Sequence, residues 1–283
     1  MKRRVDLLRD RLCQKEIDGL LVMKPENRKY LSGFSGTAGS LVVTREQLFL
    51  LTDFRYIEQA EHECKQWQAR MADEAFAHIL SFLKPGCTEV EISLEMEYFM
   101  RRGGAKKISF DTIVASGVRG AMPHGVASDK QLEIGDLVTM DFGCEFNNYC
   151  SDITRTVCLG APTEMQERIY RIVLEAHDAG VHSIRQGVKA SDVDLAARNV
   201  IEKYHFGKNF RHSTGHGVGL IVHENPVISA KDGTILQAGM VITVEPGVYL
   251  PGWGGVRIED MVLVEEKGAR LLTNAPRDHL IVL

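Results

Sequence analysis

No stretch of this sequence approaches the roughly 18 consecutive apolar residues that a membrane-spanning helix needs, which excludes a helical membrane protein. The opening "MKRRVDLLRDRLCQKEIDG" is basic, but charges interrupt any apolar core, so no signal peptide is expected there. There is no polybasic run, and the net charge is −4, which excludes electrostatic capture of nucleic acid or of an anionic membrane. CxxC pairs are absent as well. The six cysteines (Cys13, Cys64, Cys87, Cys144, Cys150 and Cys158) have no secretory context, so reduced thiols and a cytoplasmic location are expected. Cys144, Cys150 and Cys158 crowd one segment and read as small, partly buried residues rather than ligands. What is present is ordinary for a globular chain: 44% hydrophobic and 25% charged residues, in a length of 283. That length suffices for one large core, or one core plus a smaller lobe.

The segment "MDFGCEFNNYCSDITRT" (140–156) reads as two strands joined at Asn147-Asn148, a step suited to a two-residue turn with positive φ. If Phe146 pairs with Tyr149, Asp141 lies opposite Thr154, and Asp152 sits one diagonal step away on the same face. Diagonal neighbours have Cα atoms roughly 7–8 Å apart, which side chains can close. Two carboxylates converging among apolar neighbours repel and lose hydration unless cations sit between them. By the same parity Cys144 shares no face with Asp141. A solvent-facing or turn-capping aspartate is the plainer reading of a lone hairpin.

The hairpin is not alone. "LKPGCTEVEISLEMEYFMRRGGA" (83–105) and "IRQGVKASDVDLAARNVIEKYHFG" (184–207) share a pattern: a basic residue and Gly, a Ser or Thr with an acid three residues on, then an amphipathic helix ended by Gly. Thr88 with Glu91 forms a capping box, and Ser191 with Asp194 reads as a looser version. Val193, Ala197, Val200, Ile201 and Tyr204 make the apolar stripe of the second copy. Helices over 72–83 and 165–185 precede the two copies, and an acid-bearing hairpin follows each. In the second hairpin, "MVITVEPGVYLPGWGGVRIEDMVLV" (240–264), Glu245 ends one strand before Pro246 and Glu259 is expected inside the next. Asp141 to Glu245 spans 104 residues and Asp152 to Glu259 spans 107, so each unit delivers two carboxylates at matching places. Between them, "RHSTGHGVGLIVHENP" interleaves His212, His216 and His223 with glycines that let side chains converge. His62, His78, His177, His182, His205 and His279 read as surface or satisfied core.

Four carboxylates and an imidazole can hold two divalent ions, which sit roughly 3.5–4 Å apart and lower the pKa of a shared water towards ~7. Oxygen-dominated ligation with one imidazole favours Mn(II), with Co(II) or Zn(II) as alternatives. Ligation without cysteine is unlike a structural zinc site, so the centre reads as catalytic.

"MDFG", "SDITRT", "HSTGHGVGL", "VEPGVY" and "GGVRIED", in this order, resemble the pita-bread metallopeptidases, specifically the Xaa-Pro aminopeptidase and prolidase branch. The resemblance runs over 72–283. It implies an α/β (α+β) fold with a pseudo-twofold pita-bread catalytic domain. It implies metal ligation by Asp141, Asp152, His216, Glu245 and Glu259, with Asp152 and Glu259 bridging. It implies substrate contacts from His124 (in "AMPHGVASD"), His212 and His223, with His223 stabilising the tetrahedral intermediate. Arg257 matches an arginine that supports the ligands, and Glu245 is placed to shuttle a proton. The implied reaction is hydrolysis of the Xaa-Pro bond, in dipeptides or at peptide N-termini, by a metal-bridging hydroxide. The competing reading is an inactive pita-bread module that binds peptides or proteins; it predicts lost ligands, and all five are present.

The front of the chain reads as helix (3–15), strand (19–23), helix (25–31) and strands at 40–44 and 47–52. "NRKYLSGFSGTAG" and "LLTDFRYIEQA" resemble the start of a creatinase-type N-terminal domain. That domain is usually longer, and the stretch 54–84 contains no Gly or Pro. Such a run is either a long interdomain helix or the scar of a segment missing near Trp67 to Arg70, and the second is expected. The division expected is therefore 1–66, an incomplete lobe, and 67–283, the peptidase domain, with a homodimer as the arrangement such a lobe would build. Asp53 reads as the N-cap of an ordinary helix start; the competing reading has Arg55 and Tyr56 reach a neighbouring subunit's active site. Trp253 either lines a substrate pocket or packs against its hairpin.

Overall fold

A computed structural model describes residues 2–35, 39–45, 47–51 and 70–283. Expectations for Asp53, Arg55, Tyr56, His62, Cys64 and the stretch through Trp67 lie outside the described residues. The chain divides into two compact units, Met1–Gln66 and Trp67–Leu283.

In the first unit, strands Gly19–Val22, Ser40–Thr44 and Leu48–Leu51 form an antiparallel sheet in chain order. Helices Lys2–Gln14 and Pro25–Ser32 accompany it. Proline opens the second helix, where its missing N–H costs nothing, and Gly33 ends it at φ 80°. The core is small: Val5, Leu12, Val22, Leu31, Leu41 and Val43.

The second unit repeats one design twice. In the first half, helices Arg70–Leu80 and Glu89–Arg102 bury Phe76, Ile79, Ile92, Met96 and Met100 against Val114, Val138, Met140 and Phe142 of a four-stranded sheet. Truncating one of these fully buried side chains to alanine costs about 2–5 kcal/mol. Thr88 and Glu91 form the expected capping box, both hydrogen bonds being present. In the second half, helices Glu164–Ser183 and Ala190–Lys203 cover a five-stranded sheet, with Val193, Ile242, Val244 and Val262 in its core. The Ser191–Asp194 cap does not form. The N-cap is Lys189, without a side-chain bond, and Ser191 and Asp194 lie inside the helix. Asp194 is fully buried and used for another purpose, described below.

The first hairpin has the expected register. Phe146 pairs with Tyr149 and Asp141 with Thr154, around Asn147 and Asn148 at φ 49° and 72°. It is not one continuous ladder, however. Strands Leu137–Phe142 and Ile153–Cys158 belong to the four-stranded sheet, while Cys144–Phe146 and Tyr149–Cys150 turn away into a separate sheet. The bend falls at Gly143, where a Cβ would lie 1.9 Å from the Ser151 carbonyl oxygen, so only glycine permits the approach. Asp152 therefore sits at the break rather than within a strand. The second hairpin breaks in the same way: Val241–Val244 pairs with Asp260–Glu265, and Gly247–Leu250 pairs with Gly254–Arg257 in a sheet of its own. Glu245 and Glu259 occupy the two sides of that break, so Glu259 is not inside a strand either. Its backbone instead bridges to Thr154, Glu259 N–H donating to the Thr154 carbonyl at 3.1 Å, which ties the two hairpins together at their bends.

Candidate metal centre

Because both hairpins bend beside their acids, Asp152, Glu245 and Glu259 lie at the breaks, while Asp141 stays in the ladder opposite Thr154. Asp152, His216 and Glu259, all buried, each offer an atom within 4.8 Å of the others. His216 Nε2 lies 3.5 Å from Asp152 Oδ2 and 3.4 Å from Glu245 Oε1. Its Nδ1 donates to the Gly217 carbonyl at 3.0 Å, which fixes the tautomer and leaves the Nε2 lone pair facing the acids. The short strand Gly215–Gly217 reaches this position because a Cβ on Gly215 would lie 2.0 Å from the Thr243 carbonyl oxygen.

Asp141 has its Oδ1 buried without a donor. Its Oδ2 accepts from Arg257 Nη2 at 2.6 Å. Glu259 Oε2 accepts from Thr154 Oγ1 at 2.6 Å, and Glu245 Oε1 accepts from Thr243 Oγ1 at 3.1 Å. Arg257 Nε donates to Thr154 Oγ1, so one guanidinium braces both hairpins.

The electrostatics are lopsided. Burial first, then the charges of Asp141 and Glu245, pushes the Asp152 carboxyl well above its ordinary range. Glu259 is raised alike by burial and then by Asp152, Glu245 and Asp141, and Glu245 is raised chiefly by burial. Ionised as metal ligation requires, the four carboxylates against one guanidinium leave three uncompensated negative charges. A pair of unit charges 4 Å apart interacts by about 4 kcal/mol at an effective dielectric of about 20, so this excess is expensive without cations. An orphaned buried carboxylate oxygen, an imidazole with its lone pair turned inward and an excess of negative charge fit divalent metal.

The other expected site residues are arranged around this cluster. His223 is exposed, with its ring centroid 4.3 Å from that of His216. Partial desolvation and the neighbouring His216 hold its pKa below the usual value. His212 lies one layer back, its Nδ1 donating to the Ser213 carbonyl and its Nε2 accepting from the Tyr249 hydroxyl at 2.9 Å. Burial, and then the charge of Arg257, pushes His212 down to about 4, so it is neutral near pH 7. His124 is exposed, and it is a minor contributor to the lowered pKa values of His212 and His223. The carbonyl of the preceding Pro123 accepts from Arg257 Nη1 at 3.1 Å.

Trp253 is partly buried and packs against the cluster of Val248, Val256 and Ile258. His78 bonds Glu95 at 2.7 Å, and His177 is buried 3.0 Å from Asp260, as expected of histidines outside a site. Cys144 and Cys150 are free and buried, and burial raises the Cys144 thiol to about 11. Sequence reasoning missed Thr154 and Tyr249. Thr154 shares parity with Asp152, a signal that could have found it. Tyr249, which also accepts from Arg257 Nη1 at 2.9 Å, carries no such mark.

Comparison with known proteins adds an independent line. The family model described as metallopeptidase family M24 matches residues 66–266, and that of the creatinase/prolidase N-terminal domain matches residues 4–100. An Xaa-Pro dipeptidase of Pyrococcus furiosus is 48% identical over 232 residues, covering 82% of this chain and 67% of its own. An uncharacterized peptidase of Bacillus subtilis, YqhT, is 37% identical over 352 aligned positions, covering 99% of this chain and 100% of its own. Set against the 283 residues here, those 352 positions leave at least 69 without a counterpart in this chain. The solved structure of an Xaa-Pro dipeptidase from Bacillus anthracis superposes with a TM-score of 0.92 at 37% identity, covering 100% of this chain and 99% of the other.

Proposed function

The chain belongs to metallopeptidase family M24, with the pita-bread fold, and from that premise we propose that it hydrolyses the Xaa-Pro bond in dipeptides or at peptide N-termini. The observation that carries the reading is the convergence of Asp152, His216 and Glu259 within 4.8 Å, in a chain 48% identical to an Xaa-Pro dipeptidase. Asp141, Asp152, His216, Glu245 and Glu259 are the proposed ligands. Two divalent ions suit them better than one: three uncompensated charges exceed what a single divalent ion neutralises, while two leave room for one anion from solvent. Manganese is our choice, because oxygen donors outnumber imidazole. When bound, the ions supply Lewis-acid charge and acidify water.

The protein's own groups do the rest. Arg257 holds Asp141 by Oδ2, so that Oδ1 is the oxygen turned to the centre. Thr154 and Thr243 fix one oxygen each of Glu259 and Glu245. The negative excess attracts the free α-amino group of a peptide. Glu245, whose carboxyl is raised by burial, is suited to receive a proton and return it to the leaving prolyl nitrogen. His223 and His124, exposed beside the cluster, are placed to hydrogen-bond a substrate carbonyl, and His223 to steady the oxyanion as it develops. His212, held neutral, keeps Tyr249 oriented against Arg257.

Residues 1–66 are proposed as the partial lobe and 67–283 as the peptidase domain. A cytoplasmic location is part of the proposal and is supported by the free state of the five described cysteines. Among the described residues no helix is long and apolar enough to cross a membrane. A homodimer belongs to the same proposal and is read by sedimentation velocity. The test of function is reconstitution with Mn(II) followed by a panel of Xaa-Pro dipeptides, Xaa-Pro-Yaa tripeptides and Met-Ala-Yaa. Cleavage confined to the proline substrates supports the reading; cleavage of Met-Ala-Yaa alone, or of nothing, contradicts it.

A further inference from the structure

Far from the ligands in sequence, Glu89 opens the helix Glu89–Arg102 and is fully buried. Its Oε1 accepts from the Ser116 backbone N–H and the Ser116 hydroxyl, both at 2.8 Å. Its Oε2 accepts from the Ser128 N–H at 3.1 Å, from the Ser128 hydroxyl at 2.8 Å and from Arg119 Nη1. Ser116 and Ser128 are the two ends of one excursion, residues 117–127, which begins as the 3-10 turn Gly117–Ala121 and carries Pro123 and His124. Arg119 spans the same excursion from inside, its Nη2 donating to the Val126 carbonyl at 2.9 Å. One carboxylate thus closes the base of the loop whose outer part meets Arg257 through the Pro123 carbonyl and carries His124 directly after it.

The second half of the unit uses the same device. Asp194, buried in the helix Ala190–Lys203, accepts from the Thr214 hydroxyl at 2.7 Å and from Arg198 Nη2 at 2.8 Å. Arg198 in turn donates to the carbonyls of Phe210 and His212, both at 3.0 Å. Each half therefore spends one buried helical carboxylate, with an arginine, on holding the loop that brings its histidines to the centre. A buried carboxylate is costly unless its oxygens are hydrogen-bonded, and Glu89 accepts five such bonds, all from this one loop and its ends.

We infer that Glu89 is a positioning residue for substrate recognition: by clasping both ends of residues 117–127 it sets where His124 stands, without contributing to metal ligation. The inference rests on the proposed function for the substrate and for the role of His124 in holding it. Glu89→Gln preserves size but replaces one acceptor oxygen with an NH₂ that faces existing donors. The loop then loosens while the ligand-bearing hairpins, which Glu89 does not touch, keep their places. Misplacement of a binding group by about 1 Å can cost up to about 100-fold, so kcat/KM should fall about 10- to 100-fold, mostly through KM.

The experiment compares Glu89→Gln with wild type in three readouts: bound metal per chain, the KM-against-kcat split on an Xaa-Pro dipeptide, and amide hydrogen exchange of residues 116–128. The expected result is wild-type metal content, a KM at least tenfold higher with kcat within about threefold, and faster exchange in that segment alone. Unchanged KM with unchanged exchange would overturn the inference, as would loss of metal in parallel with kcat at constant KM. Should Glu89→Gln fail to fold, Arg119→Met removes the loop's own half of the clasp from a partly exposed position. A smaller rise in KM with faster exchange at 117–127 is then expected, and no change in either contradicts the clasp. If the wild type cleaves no Xaa-Pro substrate, the proposed function fails, while the exchange comparison still decides for or against the clasp.

Discussion

Arg257 donates from Nη2 to Asp141 Oδ2 at 2.6 Å, and the same guanidinium bonds Thr154, Tyr249 and the Pro123 carbonyl. No other cation touches the four carboxylates among the described residues, so the orientation of Asp141 depends on it. Arg257→Lys keeps the charge but cannot meet four acceptors from a single ammonium. Support groups of this kind are typically worth about 10–100-fold in activity or metal affinity, and a loss of that size in kcat/KM is expected. Steady-state kinetics on an Xaa-Pro dipeptide checks it; full activity in the lysine variant would show that position, not planar geometry, is what Arg257 contributes.

Much of this arrangement was legible in the sequence, and the reason is local. Strand parity and an Asn-Asn turn sufficed to place Asp141 opposite Thr154, because a two-residue hairpin fixes the register of everything behind it. The breaks in the two hairpins were not legible. What bends the first is the approach of the Ser151 carbonyl to Gly143, a contact visible only once the strands are folded against each other. Asp194 was misread for a related reason: a serine followed three residues later by an acid imitates a cap, while its real partners, Thr214 and Arg198, include one 20 residues away. Glu89 was passed over in the same way, since its partners lie 27 to 39 residues downstream.

Two substitutions separate ligation from catalysis. Glu259→Gln removes charge from the buried cluster and should lower bound metal together with activity, both read on one preparation. His223→Ala leaves every proposed ligand in place, so metal content should stay at the wild-type level while kcat falls about 10²- to 10³-fold, the usual cost of one donor to a developing oxyanion. Wild-type turnover in His223→Ala would remove it from the mechanism.

Proton competition gives a prediction with a definite sign. The folded pKa of Asp152 is raised by burial and then by the charges of Asp141 and Glu245, and that of Glu259 by burial and then by those of Asp152, Glu245 and Asp141. Between the unfolded and folded values the metal-free native state holds more protons than the unfolded chain, so its stability falls as pH rises through that window. Metal binding requires those protons to leave and adds stability to the folded state alone. His212, held near 4, works in the opposite sense, its contribution being lost as pH falls from about 6.5 toward about 4. That term is common to both forms and cancels in a comparison. The gap in melting temperature between Mn(II)-loaded and chelated protein should therefore widen from about pH 5 to about pH 8. Calorimetry at both ends tests it, and a constant gap would mean that the buried acids do not take up the metal.

The most direct test of a two-ion centre is the number of ions bound. Wild-type protein loaded with Mn(II), desalted and measured by inductively coupled plasma mass spectrometry should carry two ions per chain, and Glu259→Gln fewer. An absence of retained metal in the wild type, or equal metal in the two proteins, would contradict a centre built on Asp141, Asp152, His216, Glu245 and Glu259.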